Sequence, residues 1–290
     1  MRRVASGTPA WPVRLSVMTL ALLVVAAALV PALARRDPRQ IGDVLSLRLL
    51  PPLSRDPSGE LHLFGTDAFG RDLFARMMLA ARLSLLVGVA GSILAAAVGV
   101  LLGAGAAWAG GITDRLTMAL GDVLLSIPRL VLLLACAALW GPGAAMVVTV
   151  LVATGWMGIA RLVRGEVLGV RARPFVESAR ALGAPGWRVL WRHVLPNALA
   201  PAIAATSLGV GSAILLESGL SFLGLGIQPP APSWGNMIAD GRELIVAAPW
   251  VALAPGLALI ATVVSCTLVG DALQDRLAGE RSGAVSEQGR

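Results

Sequence analysis

The chain contains six apolar runs whose lengths suit the thickness of a lipid bilayer. A helix needs about 20 apolar residues to cross ~30 Å of hydrocarbon. Only 14% of the residues are charged, and the mean hydropathy is +0.77. Because lipid cannot satisfy backbone N–H and C=O groups, such runs cross it as helices. We therefore predict an all-α polytopic membrane protein with six transmembrane helices, at 15–33, 83–109, 116–140, 144–159, 198–223 and 249–272.

The first apolar run has two interpretations. Arg2, Arg3 and Arg14 precede it, and Ala32-Leu33-Ala34 looks like the cleavage site of a secretory signal. The run is, however, longer than the apolar region of a typical signal, which has about 7–15 residues. We therefore favour a first helix that is retained in the protein.

Charge orients the predicted helices. Residues 161–197 contain many arginines but only two acids, Glu166 and Glu177. By the positive-inside rule this segment lies in the cytoplasm. Six spans then place both termini in the cytoplasm as well, and 35–82 and 224–248 outside. The arginines are Arg161, Arg164, Arg171, Arg173, Arg180, Arg188 and Arg192.

This topology divides the chain into four parts. They are a cytoplasmic N-terminus with the first helix (1–34), an external loop (35–82), a five-helix core (83–272) that includes the cytoplasmic segment 161–197, and a cytoplasmic tail (273–290). Arg35 and Arg36 lie in the external loop, the side on which the positive-inside rule disfavours arginine. Loops that contain both acids and bases are nevertheless tolerated outside. In the second external segment we expect a short surface helix over 237–248.

All 24 basic residues are arginine, and the absence of lysine excludes two kinds of chemistry. A P-loop ATPase needs a lysine at the phosphates, and a Schiff-base enzyme needs a lysine amine. Orientation in the bilayer accounts for the net charge of +7, so we expect no nucleic-acid partner.

His62 and His193 fall on opposite sides of the membrane, so no metal site is predicted. Cys136 and Cys266 lie in apolar runs and are expected to pack there without a disulfide.

Two features of the external loop also lead to expectations. His62 is expected to be solvated. The stretch GTDAFGRD (65–72) has two acids and two glycines, but it lacks the density of oxygen ligands found in a calcium loop. We interpret it as a shaped turn with local pairing of Asp67 or Asp72 with arginine.

Three ionisable residues within the predicted spans are candidates for lining a pathway: Asp122, Arg129 and Glu217. Charged groups inside a bilayer face protein or water. Asp122 and Arg129 are seven residues apart on one helix face, ~10 Å in rise, so each is expected to have another partner. Glu217 is either an acid satisfied by its neighbours or a pathway-lining acid that meets the ammonium group of a peptide.

Two other classes of membrane protein fit the sequence less well. A membrane-embedded enzyme would need paired acids, or serine with histidine, at facing depth, and the three ionisable residues do not supply such a set. An ion-coupled carrier would need broken helices in matching halves of the chain. Pro128 and Pro142 alone do not indicate them.

The polar segment between the fourth and fifth runs is organised as two short helices around a turn. Pro174 can begin a helix, and Gly183 suits the left-handed position that ends one. Pro185 can begin the next helix, and Pro196 marks the start of the fifth span. From the residues alone, the pair either lies on the lipid surface with arginine near phosphates or docks a cytoplasmic partner. The apolar stripes are expected at Val176, Ala179 and Leu182, and at Trp187, Leu190 and Trp191.

This segment resembles the EAA signature of importer-type ABC permeases. The matching residues are Glu177-Ser178-Ala179, then Gly183, then His193-Val194-Leu195-Pro196, with serine at the second alanine position. Further stretches resemble the dipeptide/oligopeptide/nickel branch of that family and its DppC/OppC-like subunit. They are HLFGTDAFGRDLFARMMLAARLSL (62–85), DVLLSIPRLVLLL (122–134), ARLVRGEVL (160–168) and ILLESGLSFLGLGIQPPAPSWGNMIADGR (214–242).

The resemblance implies an importer-type ABC permease fold and a non-catalytic role. It implies that Glu177, Ser178, Ala179, Gly183, His193, Leu195 and Pro196 belong to a coupling loop that seats on an ATPase subunit. The expected partners are a homologous second permease subunit, two cytoplasmic ATPase subunits that bind ATP and magnesium, an external binding protein and membrane lipid. No cofactor is expected in this chain. The expected solutes are di- or oligopeptides in a bacterial inner membrane, with nickel or another small solute as the alternative.

Overall fold

A computed structural model describes residues 10–33, 37–41 and 43–288. Helices dominate it, and one two-stranded antiparallel ribbon pairs Ser54 with His62. The elements are α1 (Ala10–Leu33), α2 (Val44–Leu47), β1 (Ser54–Arg55), β2 (Leu61–His62), α3 (Leu73–Ala109), α4 (Gly111–Ser126), α5 (Arg129–Trp140), α6 (Ala144–Arg171), α7 (Pro174–Ala181), α8 (Gly186–Val189), a π-helical turn (Leu190–Val194), α9 (Leu195–Ala198), α10 (Ala200–Phe222), α11 (Trp234–Gly241), a 3₁₀ turn (Arg242–Leu244) and α12 (Trp250–Gln288).

The predicted all-α membrane fold is confirmed, although several helix ends differ from the prediction. α1, α3, α6, α10 and α12 are each long and apolar enough to span a membrane. The bent pair of α4 and α5 brings the number to the predicted six if the two helices are counted as one broken span rather than as a re-entrant loop. α3 begins at Leu73 rather than at 83, because the Asp72 carboxylate caps it by accepting the Ala75 N–H at 2.8 Å. α6 runs on to Arg171 and α12 to Gln288, so a helix fills part of segment 161–197 and most of the predicted tail.

The third predicted span is not one helix. α4 and α5 meet at an angle of 88°. Pro128 disfavours helical geometry in the residue before it, and Ile127 accordingly has an extended backbone (φ −86°, ψ 123°). The expectation that Asp122 and Arg129 share a helix face is therefore wrong. The expectation of separate partners is confirmed.

The first helix is tied to α3 by a side chain. Pro31 has no N–H, so the carbonyl of Ala27, four residues earlier, has no intrahelical donor. Arg82 of α3 fills this position: its Nε donates to Ala27 O at 2.5 Å and its Nη2 to Ala28 O at 2.7 Å. Retention of the first helix stays a prediction.

Glycines allow α3 and α6 to approach each other closely. A Cβ on Gly103 would overlap the Ala160 carbonyl oxygen and lie 2.8 Å from Ala160 Cα. A Cβ on Gly99 would lie 2.6 Å from Trp156 O. Gly99 and Gly103 are four residues apart, as in the small-residue motifs that let helices pack backbone to backbone in membranes. α6 is thereby held against α3 along its length.

The loop between α1 and α3 is more tightly packed than the sequence indicates. His62 is only 3% exposed, and its Nδ1 lies 2.7 Å from Asp72 Oδ2, so the expectation of a solvated histidine is wrong. The expected local pairing is confirmed for Asp67, which accepts from Arg71 Nε at 2.7 Å and also from Arg76. Asp72 instead caps α3 and contacts His62.

The segment after α10 also packs inward. The predicted surface helix is α11, which begins at Trp234, and Trp234 and Met237 are buried. Trp234 Nε1 donates to Met77 O at 3.3 Å, which joins α11 to α3. Burial raises the pKa of the Asp240 carboxyl above its ordinary value, and the nearby Arg76 partly offsets this. The predicted surface helix over 237–248 is therefore wrong in its bounds and at its buried first residue, although Asp240 and 242–247 are mainly exposed.

The predicted packing role of the cysteines agrees with their positions. Cys266 of α12 is buried in the cluster around Trp234, and Cys136 of α5 is half-buried against Leu133.

Candidate functional site

Residues 174–196 form a compact helical projection at one end of the bundle, which we call the knob. α7 begins with Pro174 at its first turn, where proline is favoured because that N–H has no helical partner. α8 follows Pro185, and the chain then passes through the π-helical turn into α9. The two short helices predicted around Gly183 are confirmed, to within a residue or two at their ends.

Gly183 closes the turn between α7 and α8. Its φ is +80°, the left-handed conformation predicted for it. The Gly183 N–H donates to Arg180 O at 2.9 Å, and the Ala184 N–H donates to Ala179 O at 3.2 Å. These two bonds form a Schellman motif that satisfies the last carbonyls of α7. A Cβ at Gly183 would meet nothing within 4 Å, so only the backbone requires glycine here.

The knob is fixed to the ends of α3 and α6 by an apolar cluster. Val176 of α7 and Val189 of α8 are fully buried in it. The cluster also includes Ala104 and Ala107 of α3 and Val163, Val167 and Val170 of α6. Movement of the knob is therefore linked by packing to two membrane-spanning helices.

Several other apolar side chains of the knob point outward. Leu182 is 89% exposed, so its predicted place on a packed stripe with Val176 is wrong. Of the second predicted stripe, only Leu190 is buried, while Trp187 and Trp191 are exposed. The α7 stripe ends early because the Schellman turn carries the chain away after Ala181. The knob thus presents an exposed surface with both apolar and charged side chains.

The seven residues predicted for the coupling loop divide between these two surfaces. Leu195 is buried in the cluster, and Ala179 packs against it. His193 is half-buried, and its carbonyl accepts from Asn197 Nδ2 at 2.7 Å. Ser178 is exposed, and its hydroxyl donates to Pro174 O at 3.0 Å. Glu177, Gly183 and Pro196 are likewise exposed.

Trp108, near the end of α3, is a part of this site that sequence reasoning missed. Arg180 of α7 lies over its ring at 4.7 Å and Arg171 of α6 at 5.4 Å. Arg171 Nη1 also donates to the carbonyls of Ala107 and Trp108, both at 3.2 Å. A Cβ on Gly186 would lie 3.5 Å from Trp108 Nε1. The available signal was a tryptophan at the end of a span, next to a loop rich in arginine.

Glu217 is buried in the structure and does not line an open surface. Ser84 donates to its Oε2 at 2.8 Å, and Ser221 donates to its Oε1 at 2.6 Å. Ser221 in turn accepts the Ile227 N–H at 3.0 Å, which links α10 to the loop that follows it. The geometry agrees with the first of the two interpretations, an acid satisfied by its neighbours. A pathway-lining role for Glu217 stays a prediction.

The other two candidate pathway residues lie apart from each other. Asp122 pairs with Arg161 of α6 and is exposed. Arg129, the first residue of α5, donates from Nε to Thr154 Oγ1 at 2.7 Å. It also lies on the wall of a cavity between α3, α6 and α10.

Comparison with known proteins gives a consistent family assignment. Residues 99–281 match the family of binding-protein-dependent transport system inner membrane components. A putative peptide transport system permease protein of Brucella suis is 37% identical over 91% of this chain and 86% of its own length. The probable D,D-dipeptide transport system permease protein of Escherichia coli K12 is 37% identical over 93% and 88%. The glutathione transport system permease protein of Pectobacterium atrosepticum is 39% identical over 78% and 74%.

The matched family region includes the last third of α3, the knob and the helices that follow, as far as residue 281 in α12. From this match, together with its membrane-spanning helices, the chain belongs to the family of inner membrane components of binding-protein-dependent transport systems, the permeases of ABC transporters.

Proposed function

We propose that this chain is one permease subunit of an ABC importer for peptides. A homologous second permease subunit completes the pathway, an external binding protein delivers the solute, and two ATPase subunits supply the energy. The names of the relatives, which include peptide, dipeptide and glutathione permeases, support this class of solute. This chain makes and breaks no covalent bond.

The knob is the observation that carries the proposal. Its inner side is fixed to α3 and α6 through Val176 and Val189, while its outer side carries the exposed Leu182 and Glu177. We assign the outer side to the groove of an ATPase subunit. Closure of the ATPases on ATP then moves the knob, and the apolar cluster carries that movement into two spans. The energy of nucleotide binding thus shifts an equilibrium between inward- and outward-facing states.

The proposed orientation follows from the same surface. By the positive-inside rule, the seven arginines of 161–197 support a cytoplasmic position for the knob. With six spans, both termini lie on the same side as the knob, and the loop between α1 and α3 faces outside. The membrane is then the inner membrane of a bacterium, with the binding protein approaching the end opposite the knob.

The exposed side of the knob supplies a direct test. Leu182→Glu removes no internal packing, because Leu182 is 89% exposed, but it places a charge in the proposed groove. We expect ATPase subunits to co-purify at roughly one-tenth of the normal level, since desolvating an unpaired charge costs several kcal/mol. The matched control is Val246→Glu, at a side chain 93% exposed in the loop after α11. Normal co-purification of the Leu182→Glu protein would reject the docking role.

The absence of lysine predicts the behaviour of the isolated chain. Purified alone into lipid, it is expected to hydrolyse ATP no faster than protein-free vesicles, because it has no P-loop lysine. Addition of the second permease subunit, the ATPase subunits and loaded binding protein should give ATP hydrolysis. The measurement is phosphate release, and sustained release by the isolated chain would contradict the non-catalytic assignment.

A further inference from the structure

Arg129, which is exposed, borders an open cavity of about 280 Å³ between the helices of the bundle. The cavity lies between α3, α6 and α10, and its wall combines glycines with hydroxyl side chains. Besides Arg129, these wall residues include Ser92, Gly155, Gly158, Thr206 and Ser212. The volume is at the lower end of pockets that hold small ligands, about 300–1,000 Å³. It is enough for the end of a peptide rather than for a whole one.

The guanidinium group of Arg129 is held in place but not neutralised. Its Nε donates to Thr154 Oγ1 at 2.7 Å, and Thr154 Oγ1 donates to Val150 O at 2.8 Å. Thr154 therefore fixes one edge of the guanidinium. Among the side chains described, those of 11–33, 37–41, 43–129 and 131–277, no carboxylate lies within 4.0 Å of Arg129, and its Nη1 and Nη2 make no hydrogen bond there.

Two arginines of α6 are paired with carboxylates and serve as a comparison for Arg129. Arg164 forms a two-bond pair with Asp114, with distances of 2.5 and 2.6 Å, and Arg161 pairs with Asp122. Arg129, in contrast, is level with Thr154, in the middle of the 28-residue α6. A charge at such depth is unfavourable unless it faces a partner or water, and it marks a functional position by default.

The neighbouring small residues keep the guanidinium accessible. A Cβ on Gly155 would lie 3.8 Å from Arg129 Nη2 and 2.9 Å from Ala95 Cβ, so a larger residue there would close the cavity from one side. The free edge of a guanidinium, with two parallel N–H groups, matches the geometry of a carboxylate. Ser92 and Ser212 add hydroxyl groups to the wall of the same cavity.

We propose that this cavity binds the carboxylate end of the transported solute, with Arg129 as its counter-ion and Thr154 as the residue that positions Arg129. The proposal rests on the peptide-importer function above and specifies the chemistry recognised on the pathway. A peptide carries one C-terminal carboxylate whatever its side chains, so a single fixed arginine can accept many peptides.

The test uses the complete complex of both permease subunits, ATPases and binding protein in vesicles. Uptake of a dipeptide and of its C-terminal amide is measured at concentrations that saturate the binding protein, for the unmodified chain, Arg129→Gln and Arg129→Lys. The preference of the binding protein cancels when the peptide-to-amide ratio of each variant is divided by that of the unmodified chain. Arg115→Gln, at an exposed arginine of α4, is the matched control.

We expect Arg129→Gln to lower the peptide-to-amide ratio roughly ten- to hundred-fold, the range for losing hydrogen bonds to a charged group. Arg129→Lys should have an intermediate ratio, because lysine keeps the charge but not the paired N–H groups. Arg115→Gln should leave the ratio unchanged.

Two results would overturn the proposal. An unchanged ratio in Arg129→Gln would show that Arg129 does not recognise the carboxylate. An equal loss of uptake for both compounds, together with reduced recovery of the second permease subunit, would show that Arg129 pairs with an acid of that subunit. Failure of the proposed function is distinct from both, because the unmodified complex would then show no ATP-dependent uptake of the dipeptide.

Discussion

A Gly103→Val chain is expected to be recovered from membranes at less than about one-tenth of the normal level. The added Cβ would overlap the Ala160 carbonyl oxygen and lie 2.8 Å from Ala160 Cα. Both atoms belong to the backbone of α6, so no side-chain rotation can relieve the overlap. Overpacking a core typically costs about 1–3 kcal/mol even where side chains can yield. Here α3 and α6 have to separate, and the cluster that holds the knob separates with them.

Gly105→Val on the same helix is the control. A Cβ on Gly105 meets nothing within 4 Å, so this variant has the same change in helix propensity without the overlap. The measurement is the yield and thermal stability of the monodisperse protein after extraction. Equal yield and stability for the two variants would show that the close approach of α3 and α6 does not stabilise the fold.

A Gly183→Val chain is expected to insert normally and yet to lose ATP-dependent uptake at least roughly ten-fold. Gly183 has a φ of +80°, and a residue with a Cβ pays about 1–2 kcal/mol for this conformation. A β-branched residue has particular difficulty there. The Schellman bonds to Arg180 O and Ala179 O would be lost, and the exposed surface after α7 would change shape. The spans are distant from this turn, so their insertion should be unaffected.

Gly183→Asn separates backbone strain from the mere presence of a side chain. Asparagine adopts the left-handed conformation more readily than other residues with a Cβ. Since the structure leaves open space around the position, Gly183→Asn should keep most of the uptake unless a docked protein covers the turn closely. Uptake and ATPase co-purification are measured at matched permease levels. Normal values for Gly183→Val would contradict the coupling role of the knob.

The sequence was sufficient to predict features that depend on local backbone preferences. Pro174 and Gly183 set the two ends of α7 because each imposes its own backbone requirement on the chain, independently of tertiary contacts. Apolar runs of sufficient length likewise indicate spans, since lipid leaves the backbone no alternative. The break between α4 and α5 at Pro128 rests on an equally local rule. Hydropathy did not reveal this break, because the residues before and after Pro128 are both apolar.

Features that depend on distant partners could not be predicted in this way. His62 is buried because it pairs with Ser54 in the two-stranded ribbon and contacts Asp72, ten residues later in the chain. Leu182 is exposed although it continues an apolar stripe, because the turn at Gly183 removes it from the helix that packs. The contact of Trp108 with Arg180 joins residues of α3 and α7, and no spacing within either segment indicates it. The surroundings of Glu217 likewise depend on Ser84 from another helix.

The contact between Arg82 and α1 has a consequence for how the chain enters the membrane during synthesis. α1 emerges first and carries a carbonyl, at Ala27, that Pro31 cannot serve from within the helix. α3 emerges later and carries an arginine that is costly in lipid, on the order of 2.5–3.5 kcal/mol at the centre of a span. Each helix therefore has a polar group that the other satisfies. When α3 inserts, α1 therefore already offers two carbonyl acceptors to Arg82, which lowers the cost of placing that arginine in the membrane.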